Sequence, residues 1–137
     1  MENQLSETDK IRRKSLSSQA RKTAIKTLTA EGEDDDSIMV GYYEEFYLQI
    51  AFSPLHPLMV FHLARCIDRN FNQKDRRLIN HLNHNSVLGC HALDEDAGCY
   101  CYRAAHWLEI EITEKRLIEI LDRLIEEAMR GYNQLKS

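Results

Sequence analysis

Gly89–Cys90–His91–Ala92–Leu93, Asp94–Glu95–Asp96–Ala97–Gly98, Cys99–Tyr100–Cys101–Tyr102–Arg103 is the stretch that decides how this chain folds. Its middle, Asp94 to Gly98, is turn chemistry: Asp side chains bond their own backbone, and Gly98 accepts a positive φ just before the second strand. The flanking runs suit a pleated surface. The stretch therefore predicts a β-hairpin, and amphipathic helical sequence lies on both sides of it.

Beyond the hairpin, Thr113 is placed to cap a helix. Ile112 before it and Leu117 inside it have the spacing of a hydrophobic staple. Leu117, Ile118, Leu121, Leu124, Ile125, Ala128, Met129, Tyr132 and Leu135 then make an apolar stripe wider than one sheet contact needs. Before the hairpin, Asn72 is an N-cap candidate, with Asp75 at the third helical position. Leu78, Ile79 and Leu82 form that helix's buried stripe. Asn80, His81, Asn83, His84 and Asn85 are poor helix formers and set its end near Ser86.

Further toward the N-terminus, Ile38 to Tyr43, Phe46 to Phe52 and Leu58 to about Cys66 read as three strands of an antiparallel meander. Glu44–Glu45 turns the first into the second. Both prolines, Pro54 and Pro57, fall in the loop before the third, where no ladder donor is needed. Alternation in the second strand is imperfect, because Tyr47, Ile50 and Phe52 do not hold one face. Leu16, Ala20, Ala24 and Leu28 recur every four residues and predict a first helix ending near Gly32. Residues 1–10 are too polar to order themselves. The acidic run Glu33–Asp36 opens a loop and lacks the glycine and ligand spacing of a calcium loop. The expected fold is α+β, an antiparallel sheet with helices packed on it in the order α-β-β-β-α-β-β-α, with residues 11–137 as one domain.

Composition bounds the function. With 137 residues and a net charge of −4, nothing pulls the whole chain toward nucleic acid or an anionic membrane. Residues 1–30 do carry a balance of +4. However, no aromatic residues are interleaved for base stacking, so a solvated basic helix face is expected there. No apolar run is long enough to span a bilayer. The polar start Met1–Glu2–Asn3–Gln4 is unlike a signal peptide. Cys66, Cys90, Cys99 and Cys101 are then expected as reduced thiols in a cytoplasmic protein.

The motifs of common catalytic sites are missing: no Gly-x-Ser-x-Gly, no His-Glu-x-x-His, no phosphate loop. An enzyme is not expected, nor is a cofactor. The hairpin holds one metal candidate. If all five turn residues lie outside the ladder, His91 opposes Cys101 and lines up with Cys99 to give three zinc-type ligands, His91, Cys99 and Cys101. A one-residue shift puts Cys90 there instead and breaks the set. Small thiols packed in a sheet are the plainer reading. His81 and His84 share a helix face among asparagines and read as a polar helix end.

Leu82–Asn83–His84–Asn85, Ala92–Leu93–Asp94–Glu95–Asp96–Ala97–Gly98, Tyr102–Arg103, Thr113–Glu114–Lys115–Arg116–Leu117 and a last helix ending in Tyr132 and Leu135 together resemble the YbjN-like family. That family is described as bacterial sensory transduction regulators. Its fold is similar to that of class I type III secretion chaperones, which share the element order and an Asn-containing end to the second helix. The cysteine-rich hairpin and the basic first helix belong to neither pattern. The resemblance implies a bacterial, non-enzymatic protein-interaction module, a homodimer, that binds a protein or an extended peptide through an apolar groove or a sheet edge. The candidate contact residues are Trp107, at the end of a strand, and Leu121, Leu124, Met129 and Tyr132 on the last helix. The alternatives are a secretion chaperone for an effector protein and a metal- or thiol-dependent protein built on the hairpin.

Overall fold

In the strand Phe46–Ser53 every second residue is buried: Phe46, Leu48, Ile50 and Phe52. Tyr47 belongs to the other face, so the alternation of the strand is regular. The same period of two runs through Leu58–Cys66, which buries Met59, Phe61 and Leu63, and Cys99–Trp107, which buries Tyr100, Tyr102 and Ala104. Strands with one buried side make a sheet with one covered face.

The computed structural model describes residues 6–28, 31–32, 38–53 and 56–137. Helix α1 spans Glu7–Leu28, followed by β1 (Glu31–Gly32), β2 (Ile38–Tyr43), β3 (Phe46–Ser53), β4 (Leu58–Cys66), α2 (Gln73–His84), β5 (Cys90–Asp94), β6 (Cys99–Trp107) and α3 (Glu114–Lys136). The strands form one antiparallel sheet in the order β1-β2-β3-β4-β6-β5. The α+β class and the helix–strand order follow the expectation, with two-residue β1 as an added edge. Gly32 lies in that edge strand rather than at a helix end. The loop expected over Glu33–Asp36 lies outside the described residues, as do Pro54 and Leu55 of the proline loop.

Residues 7–10, expected among an unordered N-terminus, form the first turn of α1. Ser6 caps this turn. Its Oγ accepts from the Asp9 N–H at 3.1 Å, and Lys10 pairs with Glu7 at 3.3 Å. Small residues Ser17, Ala20 and Ala24 let α1 approach the sheet closely, and Ser17 Oγ donates to the Ser53 carbonyl at 2.5 Å. Gln19 clamps the residue before the last helix with both ends of its amide. Nε2 donates to the Ile112 carbonyl at 2.8 Å, and Oε1 accepts from the Ile112 N–H at 2.9 Å.

Helix α2 starts as its sequence predicts. Asn72 and Asp75 form a reciprocal capping box, at 3.0 and 2.8 Å. Arg69 grips the Asp75 carboxylate with two nitrogens, at 2.7 and 2.9 Å, and donates to the Leu135 carbonyl at 2.7 Å. The start of α2 is thereby tied to the end of α3.

Helix α3 runs between its two neighbours, touching α1, α2 and β6. That position explains the width of its apolar stripe. Leu117, Leu121, Leu124, Ala128, Tyr132 and Leu135 are all buried in the single core of this one chain.

Candidate functional site

Among the described residues, all three helices contribute to the core on one side of the sheet, and none packs on the other. Strand register fixes what that open face presents. One row across it is Val40–Gln49–His62–Arg103–Cys90, and the next is Tyr42–Tyr47–Ala64–Cys101–Ala92. In the opposite direction come Ile38–Ala51–Val60–Ala105 and then Ser53–Leu58–Trp107. Of the two middle rows, one is polar at its centre, with Gln49, His62 and Arg103, and the other is small and apolar, with Ala51, Val60 and Ala105; aromatic residues stand at the two ends of the face. Tyr42 and Tyr47 meet edge to face with centroids 5.8 Å apart, and Trp107 meets His56 at 6.3 Å. Tyr42 is 75% exposed and Trp107 59%, unusual for rings of this size. A shallow cleft of about 610 Å³ runs along the β5–β6 side of the face, lined by His62, Cys90, Ala92, Asp94, Cys101 and Arg103.

The candidate contact residues separate on this structure. Trp107 stands on the open face. Leu121, Leu124 and Tyr132 point into the monomer core, where no partner reaches them in the folded chain. Met129 is half-buried, and its sulfur lies 3.6 Å from Arg65 Nη1. The guanidinium of Arg65 lies 4.0 Å from the Tyr132 ring centroid. The stripe is wider than one sheet contact needs because α3 also packs against α1 and α2. Sequence reasoning passed over Tyr42 and Tyr47. Their signal is two aromatic residues directly flanking the Tyr43–Phe46 pair of a tight hairpin, which places them opposite each other on a single face.

Register also decides the metal candidate. Asp94 pairs with Cys99, Ala92 with Cys101, and His91 with Tyr102. His91 therefore points into the helix-covered side while Cys99 and Cys101 point to the open side, so the three do not converge. The turn holds four residues rather than five, and that single residue moves His91 to the opposite face. Among the described residues no group of three or more His, Cys, Asp or Glu is arranged to hold a metal.

His91 sits instead in a buried polar cluster between the hairpin and α3. Its Nδ1 is 2.5 Å from the Tyr100 hydroxyl, and its Nε2 is 3.9 Å from Glu127 Oε1. Burial lowers the His91 pKa below its ordinary 6.5 against the pull of Glu127, so the ring is neutral at pH 7. Burial disfavours the Glu127 carboxylate too, but bonds from Ser86 and the Leu88 N–H outweigh it and hold that carboxyl below 4.5. Ser86 Oγ lies against Glu127 and the Gly89 carbonyl, not against the imidazole. The cluster thus lacks the serine–histidine contact of a nucleophile and its base. It fastens the α2–β5 loop to α3.

No protein-family model matches the chain, and no curated protein matches its sequence. Its fold is similar to that of a chain in the structure of the HopA1–SchA chaperone–effector complex. The TM-score is 0.60 at 14% identity, over 95% of this chain and 99% of that one. The secretion-chaperone-like architecture expected from the element order is the architecture found. No helix among the described residues is long and apolar enough to cross a membrane.

Proposed function

We propose that this chain is a non-enzymatic protein-binding module of a bacterial cytoplasm that receives a partner polypeptide on the open face of its sheet. The observation that carries this reading is that face itself: its small apolar row Ile38–Ala51–Val60–Ala105 lies beside the polar row Gln49–His62–Arg103, with exposed Tyr42, Tyr47 and Trp107 at the two ends. Aromatic residues supply large contact area at little entropic cost and dominate interface energetics. The likeness to a chain of a chaperone–effector complex supports a protein as the partner, and the secretion chaperone is the narrower form of the same reading. The YbjN-like regulator reading rests on the short sequence motifs alone. A homodimer belongs to the proposal as well, and light scattering tests it against the 16.0 kDa mass of one chain.

Trp107 is the sole tryptophan, which makes the binding test direct. The chain is used to capture partners from its own cell, and each captured protein is titrated against the purified chain. A partner covering the face shifts Trp107 emission to shorter wavelength, and the Tyr42→Ala/Tyr47→Ala double variant weakens binding at least tenfold. A captured partner whose affinity is the same for the double variant overturns the placement on this face.

A further inference from the structure

Cys66 and Cys99 stand directly opposite each other across β4 and β6, with their sulfur atoms 3.3 Å apart. Immediately beyond them the Ile67 N–H donates to the Gly98 carbonyl at 2.9 Å, which makes the cysteines a non-hydrogen-bonded pair. At such pairs antiparallel Cα atoms approach to about 4.5 Å. A disulfide needs Cα atoms roughly 4.4–6.8 Å apart. The other two thiols have no such partner: Cys90 faces Arg103, and Cys101 lies between Ala64 and Ala92. Cys66 is exposed at the end of β4, and register places both cysteines on the sheet face opposite buried Leu63, Tyr100 and Tyr102, which no helix among the described residues covers.

We propose that Cys66 and Cys99 are a modification site, a reversible cross-strand disulfide formed by exchange with a low-molecular-weight disulfide of the glutathione type. The thiolate of exposed Cys66 attacks one sulfur of the small disulfide, breaks its S–S bond and releases one thiolate. Cys99 then gives its proton to solvent and displaces the second small thiolate. One S–S bond is broken and one formed. Two protein thiols are oxidised, and the small disulfide is reduced to two thiols. Cys99 is the slower partner, because burial and then its contact with Cys66 push its thiol up to about 11. The bridge closes the chain around α2 and β5 and ties that unit to the centre of the sheet. It stands independently of what the open face binds.

The test uses the whole reduced chain equilibrated with excess oxidised glutathione at mildly alkaline pH. Free thiols are counted, and peptides are mapped by mass spectrometry. Two of the four thiols are consumed, and the linked peptides join Cys66 to Cys99. The Cys90→Ser/Cys101→Ser variant oxidises equally well, and Cys99→Ser leaves glutathione held on Cys66. Oxidation raises Tm by on the order of 10 °C, as expected for closing a loop of this length, and dithiothreitol reverses it. Persistence of all four thiols, glutathione retained on Cys66 in the unmodified chain with no bridge, or a bridge that joins any other pair overturns the proposal.

Discussion

Asn83 treats His91 as a neighbouring strand would. Its Nδ2 donates to the His91 carbonyl at 2.8 Å, and its Oδ1 accepts from the His91 N–H at 2.6 Å. β5 is the last strand of the sheet, so these two groups would otherwise face outward unpaired. An open edge invites other chains to add to it, and a side-chain amide from α2 fills the place. The asparagine-rich end of α2 therefore has a structural task, and sheet-edge recognition at His91 would first have to displace Asn83. Asn83→Ala should cost about 1–2 kcal/mol in urea unfolding and abolish the slow hydrogen exchange of the His91 amide. Asn83→Asp, which keeps only the acceptor, should fall between.

Trp107 and Leu121 were grouped by sequence as contact residues, and the fold separates them. Leu121→Ala empties a fully buried position and should lower stability by about 2–5 kcal/mol. Trp107→Ala should leave the urea midpoint nearly unchanged and weaken partner binding at least tenfold. Equal losses of stability in the two variants would refute the assignment of the two faces.

Gly131 lies where α3 crosses the hairpin. A Cβ there would come 2.6 Å from both His91 Nδ1 and the Tyr100 hydroxyl. Alanine is the better helix former by about 1 kcal/mol, yet the clash should win. Gly131→Ala is expected to destabilise by about 1–3 kcal/mol and to shift the His91 ring resonances in NMR spectra.

Acidification should weaken the fold in two stages. Burial lowers the pKa of His91 and of His106 below 6.5, so the unfolded chain binds more protons just below that value. Stability is then full above 6.5 and is lost as pH falls through that window. Asp75 acts lower down: the Arg69 guanidinium holds its carboxyl below 3.8, and that contribution is lost as pH falls through the depressed value. Urea midpoints across the range should show both slopes. His91→Gln should reduce the first, leaving the share of His106, and should leave the second unchanged.

Glu44 adopts φ 55° at the first position of the two-residue β2–β3 turn, the one non-glycine residue with positive φ among those described. Such a conformation costs a side-chain-bearing residue of order 1 kcal/mol. Glu44→Gly should therefore be neutral or raise Tm by a few degrees, because relief of strain offsets the extra flexibility of the unfolded chain.

Local chemistry was the legible part. The Asn72–Asp75 capping box, the Thr113 cap and the positive φ of Gly98, 67°, each depend on residues within a few positions of one another. Sequence alone could not choose the hairpin register, because Asp94–Gly98 suits a four- or a five-residue turn and that single residue decides which face His91 takes. Nor could it apportion the α3 stripe, since that depends on two helices packed from elsewhere in the chain. The Gln19–Ile112 clamp spans 93 positions and the Cys66–Cys99 pair 33, separations at which spacing carries no signal.

The strands that build the open face obey two rules of change on alternate residues. Phe46, Leu48, Ile50 and Phe52 answer to the core, where one methylene gained or lost is felt. Tyr47, Gln49 and Ala51 between them touch none of it. Substitutions there can follow a changing partner without disturbing the fold. Among related chains, β3 should therefore vary with a period of two, and which residues drift together on the outer register would trace the footprint of whatever binds.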